Sequence, residues 1–237
     1  MSKRLTITQV IKRIEYDLKH RKPLSLVRIG DGENIVLAQN SVWTMNKVMK
    51  QIWARKAQAG QKGISFPDMQ LRNRLAGSIR KADIVGILPK KDRMIKAPAY
   101  LKRTLTDRVF RHFKLKPKLV CHACVNRIVT KRRDFWSMLR KQRILVITSD
   151  PYAMKAILER SPYKLNVTAA LPLIHFQQID WVLERVDDMR NDFDVALISG
   201  GVNAVILAPG IAKLTGKVAI DFGKAPKLME KKKKNGH

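Results

Sequence analysis

Apolar positions along the chain alternate between two spacings, one typical of helices and the other of buried strands. Between residues 7 and 18 they recur every three or four positions, which predicts an amphipathic helix. Thr6 and Gln9 stand where a capping box would close its first turn. The next stretch, 24–29, is a short apolar run bounded by Pro23 and a glycine, which predicts a buried strand.

The same alternation continues to the end of the chain and predicts an α/β fold. Helical spacing separates most of the apolar runs, and strands joined by helices pair in parallel. We therefore predict one Rossmann-like, doubly wound domain with a mostly parallel sheet over residues 1–223, then a basic, disordered tail over 224–237. Residues 41–63 show no clear period. The predicted strands are 24–29, 84–88, 118–122, 143–148, 165–171, 193–199 and 218–220.

The net charge of the chain is more informative about its partners than the rest of its composition. Of 237 residues, 45% are hydrophobic, which suits a protein with a buried core and excludes global disorder. The formal net charge is +29, so the surface should attract polyanions such as nucleic acid or anionic lipid. No apolar run is long enough to span a bilayer, and no signal peptide is visible. We expect a cytoplasmic location, with contact to the inner face of the membrane.

The two cysteines, Cys121 and Cys124, stand in a Cys-His-Ala-Cys stretch. This spacing fits half of a zinc site or a redox pair, but the sequence contains no further cysteine to complete a zinc site. A thioredoxin-type motif would stand at the start of a helix soon after a first strand, whereas this cysteine pair lies in or just after an apolar stretch. We interpret both as small packed residues in a reduced protein.

Two carboxylates follow the first predicted strand. Asp31 and Glu33 alternate with Gly30 and Gly32, and Arg28 precedes them on the strand. Hard divalent cations such as Mg²⁺ or Mn²⁺ prefer oxygen ligands and bridge carboxylates to diphosphates, while the glycines would let a diphosphate approach the backbone. The alternative is a simple turn in which Asp31 caps the next helix.

A glycine turn follows the strand at 193–199 and opens a helix. Ser199, Gly200, Gly201 and Asn203 lie there, and a helix amino terminus of this kind favours anions. The alternative is that the glycines serve only strand–helix packing. The turn lacks the spacing of a dinucleotide fingerprint or a Walker loop, which argues against an ordinary dehydrogenase or an ATPase.

Two further acids end predicted strands. Asp221 and Asp150 are our candidates for a catalytic base, although either is equally suited to capping a turn. The five histidines are scattered, and no Ser-His-Asp arrangement is visible.

Taken together, these stretches resemble the GT-D-fold glycosyltransferases. The resemblance rests on Arg-Ile-Gly-Asp-Gly-Glu at 28–33, on the strand and glycine turn at 196–204, and on Ala-Ile-Asp-Phe-Gly at 219–223, and it covers nearly the whole chain. The chain departs from the family pattern at Thr148-Ser149-Asp150-Pro151 and at Lys224, where the family has histidine.

The resemblance implies a metal-dependent hexosyltransferase. In this interpretation Asp31 and Glu33 hold Mn²⁺ or Mg²⁺ against a UDP-sugar, with UDP-glucose or UDP-galactose as the expected donor, and the acceptor is a glycan or glycoprotein. Arg28 and the two glycine-containing turns would bind the nucleotide-sugar. The alternatives are a non-catalytic protein that binds nucleic acid or another polyanion, and a phosphatase or nuclease. No helix-turn-helix pattern supports the first, and too few acids converge for the second.

Overall fold

The computed structural model describes residues 2–225, and its centre is a sheet of eight parallel strands. The predicted tail falls largely on residues 226–237, which lie outside the described part. The strands are β1 (Lys3–Arg4), β2 (Leu24–Ile29), β3 (Ile84–Ile87), β4 (Leu119–His122), β5 (Arg143–Thr148), β6 (Asn166–Pro172), β7 (Val195–Ser199) and β8 (Val218–Asp221).

The strand order across the sheet is β1-β4-β3-β2-β8-β7-β5-β6. Every neighbouring pair in this sheet is parallel, so the predicted α/β class is confirmed. From β2 the chain moves outward through β3 and β4, and it later returns through β7 to β8 on the other side. Strands β2 and β8 therefore meet in the middle, and their carboxyl ends lie side by side at the edge where ligands bind in such folds.

Helices cover both faces of the sheet because the strands are apolar on both faces. Along β2, Leu24 and Leu26 face one hydrophobic cluster, whereas Val27 and Ile29 face the other. The helices of the first cluster are α1 (Ile7–Lys19), α7 (Val125–Val129), α8 (Arg133–Leu139) and α9 (Pro151–Glu159). Those of the second are α2 (Asp31–Ala38), α3 (Met45–Met49), α4 (Ile52–Gln58), α5 (Met69–Lys81), α6 (Arg103–His112), α10 (Ile179–Asp188) and α11 (Val202–Thr215).

Local signals explain several of these boundaries. The predicted capping box of α1 is present, since Thr6 and Gln9 exchange backbone-to-side-chain hydrogen bonds. The aperiodic stretch 41–63 contains the short helices α3 and α4, the first of which is capped by Thr44. These helices belong to a long excursion between β2 and β3 at the carboxyl edge of the sheet. Within residues 2–225, no helix combines the length and apolarity needed to cross a bilayer.

Candidate active site at the carboxyl ends of β2 and β8

The turn after β2 presents two acidic side chains at the start of α2. Gly30 is the residue before the helix, Asp31 is its first residue, and both Asp31 and Glu33 are half-buried. One carboxylate oxygen of Glu33, Oε2, accepts a hydrogen bond of 2.8 Å from the Gly30 backbone N–H. Glu33, rather than Asp31, thus closes the amino-terminal end of the helix, and this bond fixes the direction of its carboxylate.

Arg28 joins this turn to β8. Its Nε donates to the Asp221 backbone oxygen at 3.1 Å, and its Nη2 donates to Asp221 Oδ1 at 2.9 Å. Its Nη1 donates to Asn126 Oδ1 at 3.0 Å, and Asn126 in turn donates to the Phe222 backbone oxygen. Most of the Arg28 N–H groups therefore donate hydrogen bonds to other residues of the protein, and Arg28 holds Asp221 in place. Sequence reasoning missed Asn126, although it follows the carboxyl end of β4.

Negative charge is crowded at the centre of the site. Asp221 is only 1% exposed, and within the described residues its Oδ2 has no hydrogen-bond partner. Burial raises the pKa of Asp221 despite its pairing with Arg28. Burial, and then the nearby Asp221 carboxylate, raise the pKa of Glu33 from 4.5 to about 7, against the opposing effect of Arg28. Perturbed carboxylates of this kind are common at functional sites.

Trp53 forms a wall of the site beside Gly32. A Cβ atom added to Gly32 would lie 2.5 Å from Trp53 Cζ2, so only glycine fits between the two acids while the indole stays in place. Trp53 is half-buried and meets the Phe66 ring edge-on at 6.3 Å between centroids. Sequence reasoning did not assign Trp53 because it lies in the aperiodic stretch before α5.

The glycine turn after β7 lies next to this centre. Gly201 precedes α11 with a φ of +58°, a conformation that favours glycine, and Gly200 packs tightly against Leu173. Ser199 Oγ and Asn203 Oδ1 are buried and have no hydrogen-bond partner within the described residues. Strand β8 separates β7 from β2, so this turn lies roughly 10 Å from the acidic turn. Packing thus accounts for Gly200. The Asn203 and Ala204 N–H groups donate to the Gly200 and Gly201 carbonyl oxygens, so within the described residues the Gly201 and Val202 N–H groups are the ones left for an anion.

Asp150 lies apart from the acidic turn after β2 but beside the glycine turn after β7, since β5 pairs with β7 and Thr148 lies opposite Ser199. It follows β5, which is three strands from β2 and hence roughly 14 Å away along the sheet. Its side chain is exposed and accepts a hydrogen bond from the Ala153 N–H at the start of α9. The structure therefore shows a capping contact for Asp150, and its role as a base stays a prediction.

Cys121 and Cys124 are both buried free thiols. Burial raises the pKa of Cys121 to about 12 and also raises that of Cys124, so both are protonated and unreactive at neutral pH. His122, between them in sequence, accepts a 3.0 Å hydrogen bond from the Cys124 N–H at Nδ1. Burial lowers the pKa of His122, so the neutral ring carries its proton on Nε2.

A divalent cation fits the donor set of this site only with help from a substrate. Among residues 2–225, no three His, Cys, Asp or Glu side chains converge as a complete metal site. Asp31 and Glu33 nevertheless offer hard oxygen ligands, and Mg²⁺ is commonly held by one or two carboxylates together with phosphate oxygens and water. The crowding of Glu33 and Asp221 is also a charge arrangement that a cation would relieve. The residues present therefore fit a metal bound jointly with a diphosphate.

Comparison with known proteins shows the family of the chain. The family model described as a GT-D fold-like domain matches residues 5–229, which is nearly the whole chain. The chain belongs to the GT-D-like family. A comparison with curated proteins gives no match.

Solved structures similar to this GT-D-like protein include several of domain of unknown function 1792. A selenomethionine-substituted structure of that domain shares 15% identity and a TM-score of 0.63, with 99% of this chain and 82% of the other covered. A second structure, in which the domain is described as having a distinct glycosyltransferase fold, shares 15% identity and a TM-score of 0.62. The same fractions of the two chains are covered. A third structure is described as a new glycosyltransferase from Streptococcus sanguinis. It shares 14% identity and a TM-score of 0.64, with 99% of this chain and 86% of the other covered. This GT-D-like protein therefore has the GT-D glycosyltransferase fold.

Proposed function

We propose that this protein is a metal-dependent glycosyltransferase that transfers a hexose from a UDP-sugar to a hydroxyl group of a glycan or glycoprotein. The observation that carries the proposal is the pair Asp31 and Glu33 at the end of the central strand β2, inside the GT-D fold. UDP-glucose and UDP-galactose are the donors to test first. Family membership favours this activity over a non-catalytic polyanion-binding role.

Asp31 and Glu33 would hold Mn²⁺ or Mg²⁺ in this proposal. When bound, the cation neutralises the charge that develops on the leaving diphosphate. The protein contributes the orientation of the ligands, because Glu33 is fixed by the Gly30 N–H and α2 fixes Asp31 relative to it. Gly32 leaves room for the Trp53 indole, which closes one side of the site, and the Gly30 N–H is taken by the Glu33 carboxylate.

The remaining residues divide into positioning and binding roles. Arg28 and Asn126 position Asp221 through the hydrogen bonds described above. The Gly201 and Val202 N–H groups at the start of α11 would bind an anionic or hydroxyl group of the donor, together with Ser199, Gly200 and the Asn203 side chain. Asp221 is a candidate base whose burial requires that the acceptor hydroxyl come close to β8.

The test is calorimetric titration of UDP into the full chain, with and without Mn²⁺. We expect manganese-dependent binding that falls at least about tenfold in Asp31→Asn and in Glu33→Gln, since each removes a charged oxygen ligand. Glu15→Gln and Glu184→Gln are matched controls, because these exposed acids lie on α1 and α10, away from the site.

Two results would contradict the proposal. One is UDP binding that is the same with and without the metal. The other is binding that both site variants retain while their circular dichroism shows a folded protein. If binding follows the expectation, a screen of UDP-hexoses and hydroxyl acceptors for product formation identifies the substrates.

A further inference from the structure

The two longest excursions at the carboxyl edge of the sheet carry a concentrated positive charge. We call residues 40–67, after β2, and residues 88–102, after β3, the basic rim. The first segment contains five basic residues and no acid, and the second contains five basic residues and one acid. Asp92, that one acid, pairs with the buried Lys102 at 3.1 Å, so the other basic residues of its segment face no acid within it. The exposed basic residues of the rim are Lys47, Lys50, Arg55, Lys56, Lys90, Lys91, Arg93 and Lys96.

Acidic residues occur together with arginines at the opposite edge of the sheet, where the strands begin. The segment from Asp187 to Asp194, which leads into β7, contains four aspartates. Three of these pair with arginines: Asp187 with Arg190, Asp188 with Arg185, and Asp194 with Arg143. Three of the four aspartates at that edge are therefore paired with arginines, whereas the rim has one acid for its ten basic residues.

Apolar side chains are exposed among the basic residues of the rim. Ile52 is 64% exposed, Tyr100 is 50% exposed and Met94 is 40% exposed. The two segments also form one surface, because the Tyr100 hydroxyl donates to Gln51 Oε1 at 3.0 Å and the Tyr100 ring lies against Trp43. A soluble polyanion needs only the charges, whereas the interface of an anionic bilayer binds basic and apolar side chains together.

The rim also borders the candidate active site. Ile52 is followed on α4 by Trp53, whose indole packs against Gly32 between the two site carboxylates. We propose that the basic rim docks this protein on an anionic phospholipid surface, with the candidate site turned toward the headgroups. An acceptor attached to that membrane then reaches the site along the bilayer surface. Docking itself does not depend on the identity of the donor.

The test compares two variants of the full chain that lose the same charge from different edges. The rim variant carries Lys90→Gln, Lys91→Gln, Arg93→Gln and Lys96→Gln. The control variant changes four exposed lysines from the turns before β4 and β5, and it carries Lys114→Gln, Lys116→Gln, Lys118→Gln and Lys141→Gln. Each is sedimented with vesicles of phosphatidylcholine alone and with equal parts of phosphatidylglycerol, at low and high salt.

We expect the wild type to bind the anionic vesicles at low salt and to be released by high salt. The rim variant should partition at least about tenfold more weakly, since basic residues near the surface dominate the attraction. The control variant should change less than about threefold, because its lysines face away from the bilayer. Equal losses in the two variants would overturn the proposal, because only the net charge would then matter.

A second pair of variants separates a membrane from a soluble polyanion. Ile52→Ser with Met94→Ser should weaken binding to anionic vesicles several-fold and leave binding to RNA unchanged, since it removes apolar contact alone. Tyr16→Ser with Leu214→Ser, which changes exposed apolar side chains on α1 and α11, is the control. If the rim pair leaves vesicle binding unchanged while RNA competes with the vesicles, the rim binds soluble polyanions and the proposal is wrong. Calorimetric UDP binding without vesicles reports on the donor site separately.

Discussion

The raised pKa of Glu33 predicts that the candidate site destabilises the metal-free protein. Replacing Glu33 with glutamine keeps the shape of the side chain and an oxygen that accepts from the Gly30 N–H, but removes the negative charge beside Asp221. We therefore expect Glu33→Gln to stabilise the metal-free fold at alkaline pH, although the same change should weaken metal-dependent UDP binding.

The magnitude follows from the difference in pKa between the folded and unfolded states. The unfolded glutamate releases its proton near 4.5 and the folded one near 7, so the stability contributed by the protonated carboxyl is present below pH 4.5 and lost as the pH rises through 7. At about 1.4 kcal/mol per pKa unit, the shift from 4.5 to about 7 makes the full loss at most about 3.5 kcal/mol. Near pH 5 the unfolded state is already partly ionised, which leaves a loss of about 1 kcal/mol there. Solvent around the half-buried side chain reduces both figures, so the gain in Glu33→Gln should be about 2 kcal/mol larger near pH 8 than near pH 5.

The assay is urea unfolding of both proteins near pH 5 and near pH 8, with a chelator to remove divalent cations. Glu15→Gln is the control, because Glu15 is an exposed acid on α1. A stability gain in Glu33→Gln that is the same at both pH values would refute the electrostatic argument. So would a loss of stability near pH 8 that is confined to this variant.

Two glycines give further predictions. Gly223→Ala should destabilise the fold by about 3 kcal/mol in urea unfolding, because Gly223 has a φ of +53° and an added Cβ would collide with the Arg28 guanidinium. Gly32→Ala should displace Trp53, change the intrinsic tryptophan fluorescence and weaken UDP binding, because the added Cβ would lie 2.5 Å from the indole. Gly77→Ala is the control for both, and it should stabilise the protein by about 0.5–1 kcal/mol, because Gly77 lies in α5 with open space around it. A Gly32 variant with unchanged fluorescence and UDP binding would remove Trp53 from the site.

Periodicity was sufficient to predict the class of the fold, and it failed where the strands and helices are short. The central strands are buried on both faces, and their apolar runs stand out from the helices between them. The edge strand β1 has only two residues, both basic and exposed, so its pairing with β4 leaves no apolar signal. Helices α3 and α4 are too short for a clear period, and tertiary packing holds them in place.

The candidate site was predictable to the extent that its residues end strands. That rule points to Asp31 and Glu33 after β2, and to Asp221 at the end of β8, and the structure brings all three to one edge. The rule does not reveal that Arg28 forms hydrogen bonds with Asp221 and Asn126. Those bonds depend on β2 and β8 being neighbours although they lie far apart in sequence. The rule also does not reveal Trp53, which reaches the site through packing.

The location of charge, more than its amount, decides how a net charge of +29 should be interpreted. A uniformly basic surface would favour any polyanion, and the sequence alone leaves that choice open. In the structure, exposed acids at the edge leading into β7 are paired with arginines, whereas the basic rim combines charge with exposed apolar side chains. The rim also borders the turn that carries Asp31 and Glu33, through the contact of Trp53 with Gly32. In the two proposals, this charge would draw an anionic donor toward Asp31 and Glu33 and an anionic bilayer toward the same edge. One distribution of charge therefore serves both the proposed chemistry and the proposed docking, and the variants above separate the two.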